Sequence, residues 1–299
     1  MTPFSGLSAF PVTPADDAGR VDTDRLQTFV SRLADAGVAS IGVLGSTGGY
    51  PYFSTPERAR ALKAAVEAAN GVPVLAGIGA LRASDVTAHA QDAEAAGAAG
   101  LLLAPVSYLP LTDDEVLGLA RDVAAVSTLP ILIYNNPGTT HFNISEDLLL
   151  RLAEVRTVKA VKNPAPPDGD FADQIARLRP RLPDDFSLGY SADATIAGAL
   201  SAGTDAWYSV IAGTFPDTCR DLWEARTDPD RLATLNARLG PLWDLFTAHG
   251  GIRVIHEAAN LIGLGPVALP RPLLPLAEPV RAEIATALAT AGLLSGEPA

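Results

Sequence analysis

The sequence has little positive charge, one cysteine and no long uninterrupted apolar run. A formal net charge of −12 argues against nucleic-acid binding, because a protein that neutralises phosphates needs a basic face. Cys219 stands alone, which excludes an intrachain disulfide and a multi-cysteine metal site. No segment approaches the roughly 20 apolar residues of a membrane span, and the N-terminus lacks a basic region followed by an apolar one. We therefore expect a cytoplasmic protein with neither a membrane nor a nucleic-acid partner.

Lysine is scarce as well. Lys63, Lys159 and Lys162 are three of the 22 basic residues, and all the others are arginines. A lysine amine can act as a nucleophile when it is neutral, whereas an arginine stays charged. Each lysine is therefore a candidate for chemistry, although a biased composition alone can also leave a few lysines on a surface.

Short apolar, β-rich runs alternate with longer segments of helical character. The predicted strands cover residues 7–12, 40–45, 74–78, 100–104, 131–135, 158–162, 186–190 and 206–210. The predicted helices between them cover residues 24–36, 56–70, 85–96, 113–126, 146–153, 171–178 and 192–202. Eight continuous apolar strands that recur about every 25–30 residues predict the α/β class and a (β/α)8 TIM barrel. A doubly wound open sheet is the competing architecture.

The strand pattern fades after residue 210. Predicted helices follow at 217–226, 231–248, 252–261 and 278–293, with an irregular connector at 266–275. These helices are more than the last unit of a barrel requires. We therefore predict a barrel core over residues 1–214. The last barrel helix and a C-terminal helical extension occupy 215–299, in one structural unit with the core.

Strand alternation places two polar side chains at the mouth of the predicted barrel. Lys162 is the last residue on the face that it shares with Val158 and Ala160, and Tyr134 ends its strand in the same way. Burial lowers the pKa of a lysine, and the neutral amine can attack a ketone while a tyrosine moves protons. A strand-end lysine that simply reaches solvent is the alternative interpretation.

Four segments resemble the dihydrodipicolinate synthase/N-acetylneuraminate lyase family. They are the opening strand with Ala9-Phe10-Pro11-Val12-Thr13, the loop Gly45-Ser46-Thr47-Gly48, the motif Tyr134-Asn135-Asn136-Pro137-Gly138 and the strand ending at Lys162. The spacing of 28 residues from Tyr134 to Lys162 also matches the family. The similarity covers roughly residues 4–265, and the ordered combination is far more specific than any one motif.

The resemblance implies a Schiff base between Lys162 and a small 2-keto acid such as pyruvate, with Tyr134 as the proton-transfer residue. It implies that Ser46 and Thr47 bind the keto-acid carboxylate together with backbone amides of the loop around Gly48, and that Thr47 joins the proton relay. It also implies no metal, no organic cofactor and a homo-oligomer, either a tetramer or a dimer.

The sequence departs from the family where a second substrate would bind. Thr139 occupies the position at which dihydrodipicolinate synthases have an arginine, and Gly49 replaces an acidic residue. The usual double tyrosine after the fourth strand is absent, and Tyr108 is the candidate for a displaced hydroxyl, directed toward a neighbouring subunit. We therefore do not expect authentic dihydrodipicolinate synthesis. Thr139, Tyr108 and Tyr208 remain candidates for substrate binding.

Several aromatic residues fall at or beyond the strand ends. They suit an apolar or aromatic aldehyde, and packing of loops or subunits is the alternative interpretation; the residues are Tyr50, Tyr52, Phe53, Tyr108, Phe142, Tyr190 and Tyr208. His141 is a loop candidate for contacting substrate, whereas His89 and His256 are expected on the surface or in packing. The histidines lack zinc spacing, and the glycine-rich turns do not fit a phosphate-binding pattern.

These observations favour a class I aldolase or lyase that acts on a 2-keto acid and an aldehyde. A dehydratase for keto-deoxy sugar acids would use the same imine and is the nearest enzymatic alternative. A non-catalytic barrel that binds a keto acid is the alternative of a different class, and a strand-end amine argues against it.

Overall fold

The computed structural model describes residues 2–294, and its centre is a closed barrel of eight parallel strands in sequence order. Each strand pairs with its neighbours along the chain, and the eighth closes onto the first. The strands are β1 Gly6–Ala9, β2 Ser40–Val43, β3 Val74–Gly77, β4 Gly100–Leu103, β5 Ile131–Tyr134, β6 Val158–Asn163, β7 Ser187–Tyr190 and β8 Ala206–Ser209. The predicted (β/α)8 barrel is therefore confirmed, and the open sheet is excluded.

Helices surround the barrel and follow the strands in alternation. They are α1 Thr23–Asp35, α2 Thr55–Ala68, α3 Ala83–Ala96, α4 Asp113–Val126, α5 Pro137–Thr140, α6 Glu146–Ala153, α7 Phe171–Leu178, α8 Ile196–Ser201 and α9 Pro216–Glu224. Side-chain oxygens cap several first turns: Asp22 accepts from the Arg25 amide, and Thr112 forms a reciprocal capping box with Glu115.

The pairing of β5 with β6 determines how Tyr134 and Lys162, the two residues predicted at the barrel mouth, lie relative to each other. The register shifts after Ile131, so Lys159 has no partner opposite it on β5. After this bulge Ala160, Val161 and Lys162 pair in step with the last three residues of β5. Tyr134 and Lys162 are therefore direct neighbours at the carboxyl end of the barrel.

The C-terminal extension consists of α10 Pro229–Arg238, α11 Gly240–His249, α12 Gly251–Leu261 and α13 Glu278–Thr290. The prediction of one helix over 231–248 is wrong, because the chain breaks between α10 and α11. Pro241 has no amide hydrogen to continue the hydrogen bonds of α10, so the helix is interrupted at Leu239 and α11 starts at Gly240 with the proline in its first turn. The boundary at residue 214 stays a prediction.

The connector between α12 and α13 is irregular, as predicted, and part of it reaches the barrel mouth. Pro270 and Leu273 line a cavity there, together with residues of the loop after β2. Among residues 2–294, no helix is long and apolar enough to cross a membrane.

Candidate active site

The amine of Lys162 lies inside the barrel among aromatic rings. Its Nζ atom is 3.9 Å from the ring centroid of Phe10, 4.7 Å from that of Tyr134 and 6.0 Å from that of Tyr208. Removal from water lowers the pKa of Lys162 to about 7, while the negative charge of Asp193 acts in the opposite direction. Close to half of this amine is therefore neutral at pH 7, which suits attack on a carbonyl carbon.

Two glycines make room for the rings around Lys162. A Cβ atom at Gly42 would lie 2.3 Å from the ring of Phe10, and one at Gly189 would lie 2.4 Å from the ring of Tyr208. Phe10 and Tyr208 meet edge to face, with their centroids 6.2 Å apart. Any larger residue at Gly42 or Gly189 would displace the rings that keep water from the amine.

Asp193 is a buried carboxylate whose negative charge acts on this amine. Its oxygens accept hydrogen bonds from the Trp207 indole (2.7 Å) and from the backbone amides of Val210 (2.9 Å) and Ile211 (3.1 Å). Burial raises the pKa of Asp193, and these donors oppose that shift. Asp193 begins a tight turn, Asp193–Thr195, so only α8 of the helix predicted over 192–202 is α-helical.

The phenol of Tyr134 is buried at the same level as Lys162. Asn136 donates a hydrogen bond of 2.6 Å to its hydroxyl, and the Ser46 side chain also lies against that hydroxyl. Burial raises the pKa of Tyr134, while these two hydrogen bonds oppose the rise. The phenol is therefore protonated near pH 7 and can donate its proton to a reacting oxygen.

A strained loop after β2 presents Ser46 and Thr47. Leu44 has φ +56, a left-handed conformation that a leucine rarely adopts, and such strain is common where a loop is held for function. A Cβ atom at Gly48 would lie 2.9 Å from the Thr13 hydroxyl oxygen, so a glycine fits best here. Hydroxyls and exposed amides in such a loop can hold a carboxylate.

A cavity of about 240 Å³ opens above Ser46 and Thr47. Its lining combines residues that carry hydroxyl groups with an apolar wall. The former are Ser46, Thr47, Tyr50, Tyr52 and Thr139, and the wall consists of Pro51, Val106, Ile252, Pro270 and Leu273. The lining also includes His256, and it contains no lysine or arginine among the described residues. An adjoining cavity of about 130 Å³ shares Thr47 with it and is lined by Arg271, Asp16 and Asp17, whereas Ser46 lines only the larger cavity.

The other residues singled out in the sequence lie at different distances from this cavity. Tyr108 is 92% exposed and does not line it, so the prediction that it serves a neighbouring subunit stays untested. The ring of Tyr208 lies below Lys162, and its hydroxyl points toward Ser187 at the start of β7, away from the mouth. Tyr190 donates to Gln174 of α7 on the outside of the barrel, and His141 is exposed.

Sequence reasoning missed part of this arrangement. Asp193 and the floor of rings come together from different strands, so only the fold brings them to Lys162. His256 is buried as a packing residue, with its Nδ1 atom 2.8 Å from the Ile252 carbonyl oxygen, but it also borders the cavity. Two sequence signals point to Tyr50: the departure from the family at Gly49, and its place among the aromatic residues beyond the strand ends.

The fold and the site together define a class of enzyme. A (β/α)8 barrel with a buried, partly neutral lysine and a buried phenol at its mouth has the apparatus of the class I, imine-forming aldolases and lyases. Comparisons with known proteins agree. Residues 3–291 match the model of the Dihydrodipicolinate synthetase family, and the chain therefore belongs to that family. It is a class I aldolase or lyase of the dihydrodipicolinate synthase type.

Individual relatives are similar over nearly their whole length. The 4-hydroxy-tetrahydrodipicolinate synthase of Azoarcus sp. (strain BH72) is 31% identical, over 94% of this chain and 96% of that protein. The crystal structure of dihydrodipicolinate synthase from Agrobacterium tumefaciens str. C58 is 48% identical, with a TM-score of 0.95 over 97% of this chain and 98% of that one. The chloride-inhibited dihydrodipicolinate synthase from Acinetobacter baumannii, solved with pyruvate, is 26% identical, with a TM-score of 0.88 over 97% and 99%.

Proposed function

We propose that the protein is a pyruvate-dependent aldolase in which Lys162 forms the imine. The observation that carries this proposal is the amine of Lys162, buried among three aromatic rings with its pKa lowered to about 7. Pyruvate is the small 2-keto acid that the Acinetobacter baumannii relative was solved with. The loop after β2 would bind the carboxylate of pyruvate.

In this mechanism the neutral amine of Lys162 attacks the keto carbon and forms a carbinolamine. The hydroxyls of Ser46 and Thr47, with the amides of the loop around Gly48, hold the carboxylate and so aim the keto carbon at Nζ. The Tyr134 phenol donates the proton that lets water leave, Ser46 lies against that phenol, and Thr47 beside Ser46 joins the proton relay. Loss of a methyl proton then converts the imine into an enamine.

The second substrate that fits best is a small aldehyde without a charge. A carboxylate taken out of water needs charge-assisted donors, and the cavity of about 240 Å³ beside Ser46 and Thr47 has no lysine or arginine in its lining. Thr139 lines the cavity where an arginine would otherwise serve that purpose. The apolar wall also favours an aldehyde over a keto-deoxy sugar acid, whose many hydroxyls need partners.

Borohydride reduction in the presence of pyruvate tests the imine. We expect the intact mass of the unmodified protein to rise by one reduced pyruvate imine, and the same for Lys159→Ala, whose side chain lies outside the barrel beside Asp185. The Lys162→Ala variant should show no gain. If the unmodified protein gains no mass with pyruvate or any other 2-keto acid, the proposal is wrong.

An aldehyde panel tests the second substrate. With pyruvate, benzaldehyde and butanal should give a kcat/KM about 10-fold or more above those of glyceraldehyde and succinic semialdehyde. A reversed order would reject the uncharged, apolar aldehyde. Fast dehydration of a keto-deoxy sugar acid would favour the dehydratase instead.

We also infer a homo-oligomer. Tyr108 and Leu109 expose 92% and 69% of their surfaces beside the mouth, and such apolar side chains are typical of subunit contacts. Sedimentation equilibrium should give a mass of two or four chains, and a monomer at micromolar concentration would contradict this inference.

A further inference from the structure

Tyr50 is a buried phenol that the mechanism above leaves without a task. It follows Gly49, whose φ of +63 turns the chain so that a short turn, Tyr50–Tyr52, begins at the cavity. The side chain is buried to all but 6% and lines the cavity, and its hydroxyl makes no hydrogen bond to another residue among 2–294. That hydroxyl is not one of the fully enclosed unpaired atoms, so a molecule in the cavity can reach it and form the missing hydrogen bond.

The ring of Tyr50 lies beside Gly79, close to the end of the fourth strand. A Cβ atom at Gly79 would lie 3.1 Å from Cε2 of Tyr50 and 3.1 Å from the Cβ atom and the carbonyl oxygen of Ala104. Ala104 follows β4 directly, and Val106 supplies part of the apolar wall of the cavity. A phenol from the loop after β2 thus occupies space beside the end of β4.

A buried arginine holds this phenol. Arg58 of α2 donates to the carbonyl oxygens of Gly77 (2.8 Å) and Gly79 (2.9 Å), and its guanidinium carbon lies 5.4 Å from the centre of the Tyr50 ring. Burial raises the pKa of Tyr50, and the Arg58 charge opposes that rise. The phenol is therefore protonated at rest, while a cation stands beside it to stabilise a transient phenolate.

We propose that Tyr50 is the acid that protonates the aldehyde oxygen when the new carbon–carbon bond forms. This inference rests on the proposed function and goes beyond it by separating two phenols: Tyr134 serves the imine and Tyr50 serves the aldehyde. Arg58 is a positioning residue for Tyr50. The partner recognised is an uncharged aldehyde whose carbonyl oxygen points at the Tyr50 hydroxyl.

The step balances without any further reactant. The enamine carbon attacks the aldehyde carbon, the carbonyl π electrons move to the oxygen, and the Tyr50 proton completes the new hydroxyl. The enamine nitrogen becomes an iminium, which water hydrolyses to release the product. The proton lost from the methyl group during enamine formation equals the proton that Tyr50 must regain.

The test measures enamine formation and condensation with the aldehyde separately in the Tyr50→Phe variant. Exchange of the pyruvate methyl protons in D2O, followed by NMR, reports enamine formation and requires no aldehyde. We expect Tyr50→Phe to keep this exchange, and the borohydride-trapped adduct, within about twofold of the unmodified protein. Condensation of pyruvate with benzaldehyde should fall by about 100-fold, mainly in kcat.

Three variants complete the design. Tyr134→Phe should slow exchange and condensation together. Tyr190→Phe removes a phenol that is bonded to Gln174 outside the barrel, and it should leave both rates unchanged. Tyr108→Phe tests the competing source of a phenol, and a melting curve for each variant confirms that it folds.

Each other outcome counts against Tyr50. Equal loss of exchange and condensation in Tyr50→Phe would move this phenol to the imine step and overturn the proposal. A loss in Tyr108→Phe with none in Tyr50→Phe would overturn it in favour of a neighbouring subunit. If the unmodified protein traps pyruvate but condenses no aldehyde, the role of Tyr50 fails while the imine at Lys162 stands.

Discussion

Strand β6 carries two lysines, Lys159 and Lys162, in two contrasting regions of the molecule. Lys159 lies on the outer side, one-third exposed, with its Nζ atom 2.7 Å from a carboxylate oxygen of Asp185. Lys162 lies inside the barrel, where aromatic rings surround its amine. The outer amine is paired with a carboxylate at the surface, whereas desolvation makes the inner one a nucleophile. The two residues are of the same type, so their position on the strand decides which one is a surface charge and which one can act as a nucleophile.

The largest expected difference between the two regions is in catalysis. Lys162→Ala should lower kcat/KM for pyruvate-dependent condensation by about 10⁴-fold or more, because it removes the group that forms the bond. Lys159→Ala should stay within about twofold, because it removes only an exposed ion pair. Comparable losses in both variants, measured at saturating pyruvate, would show that the inner lysine has no special part in catalysis.

The tyrosines of the two regions should differ as the lysines do: loss of the inner phenol should lower activity, and loss of the outer one should not. Tyr134→Phe should reduce kcat by about 10²- to 10⁴-fold, since it removes the proton donor beside Lys162. Tyr190→Phe, whose phenol bonds Gln174 on the outer side, should cost only about 1 kcal/mol of unfolding free energy and no activity. Steady-state kinetics and urea unfolding check the pair. An active Tyr134→Phe would remove Tyr134 from the proton path.

Stability should show the cost of burying an amine. The folded protein binds fewer protons at Lys162 than the unfolded chain between about pH 7 and pH 10.5, so this group lowers stability most below pH 7, and its cost fades as pH rises. Lys162→Met should therefore raise the unfolding free energy at pH 7 by about 4 kcal/mol. Urea unfolding at pH 7 and near pH 10 measures this difference.

The matched variant for that measurement is Lys159→Met on the outer side of β6. It should change the unfolding free energy by at most about 1 kcal/mol, because only a partly exposed ion pair is lost. A gain in Lys162→Met that stays equal at pH 7 and pH 10 would mean that packing, and not the desolvated charge, is responsible.

The smallest expected effect concerns Asp193, whose charge favours the protonated amine. Asp193→Asn should move the acid limb of the pH profile for imine formation to lower pH, because the pKa of Lys162 falls further when that charge is lost. Rates of borohydride trapping between pH 5 and 9 give the profile. An unchanged midpoint would show that Asp193 is neutral in the folded protein.

The sequence predicted the barrel well because each strand is an apolar run with both faces buried. Errors occurred where one residue overrules a pattern. The strand predicted over 7–12 ends at Ala9, two residues before Pro11, which has no amide hydrogen to donate. The helix predicted over 231–248 breaks in front of Pro241.

The site was predictable only where a short-range pattern carries it. Alternation and motif spacing pointed to Lys162 and Tyr134, and the structure places them side by side. Phe10 and Asp193 reach Lys162 from β-strand ends distant in the chain, and no local pattern records such a contact. The proposal for Tyr50 depends on its place in the wall of the cavity, which the fold creates by bringing the loop after β2 to the end of β4.

The central claim is that burial makes Lys162, alone among the three lysines, a nucleophile at neutral pH. Reduction with borohydride in pyruvate at pH 7, followed by peptide mapping, locates the trapped adduct. We predict full occupancy at Lys162 with none at Lys63 or Lys159, and a trapping rate that rises through about pH 7. An adduct on either of the other lysines, or no adduct on Lys162, would contradict the account.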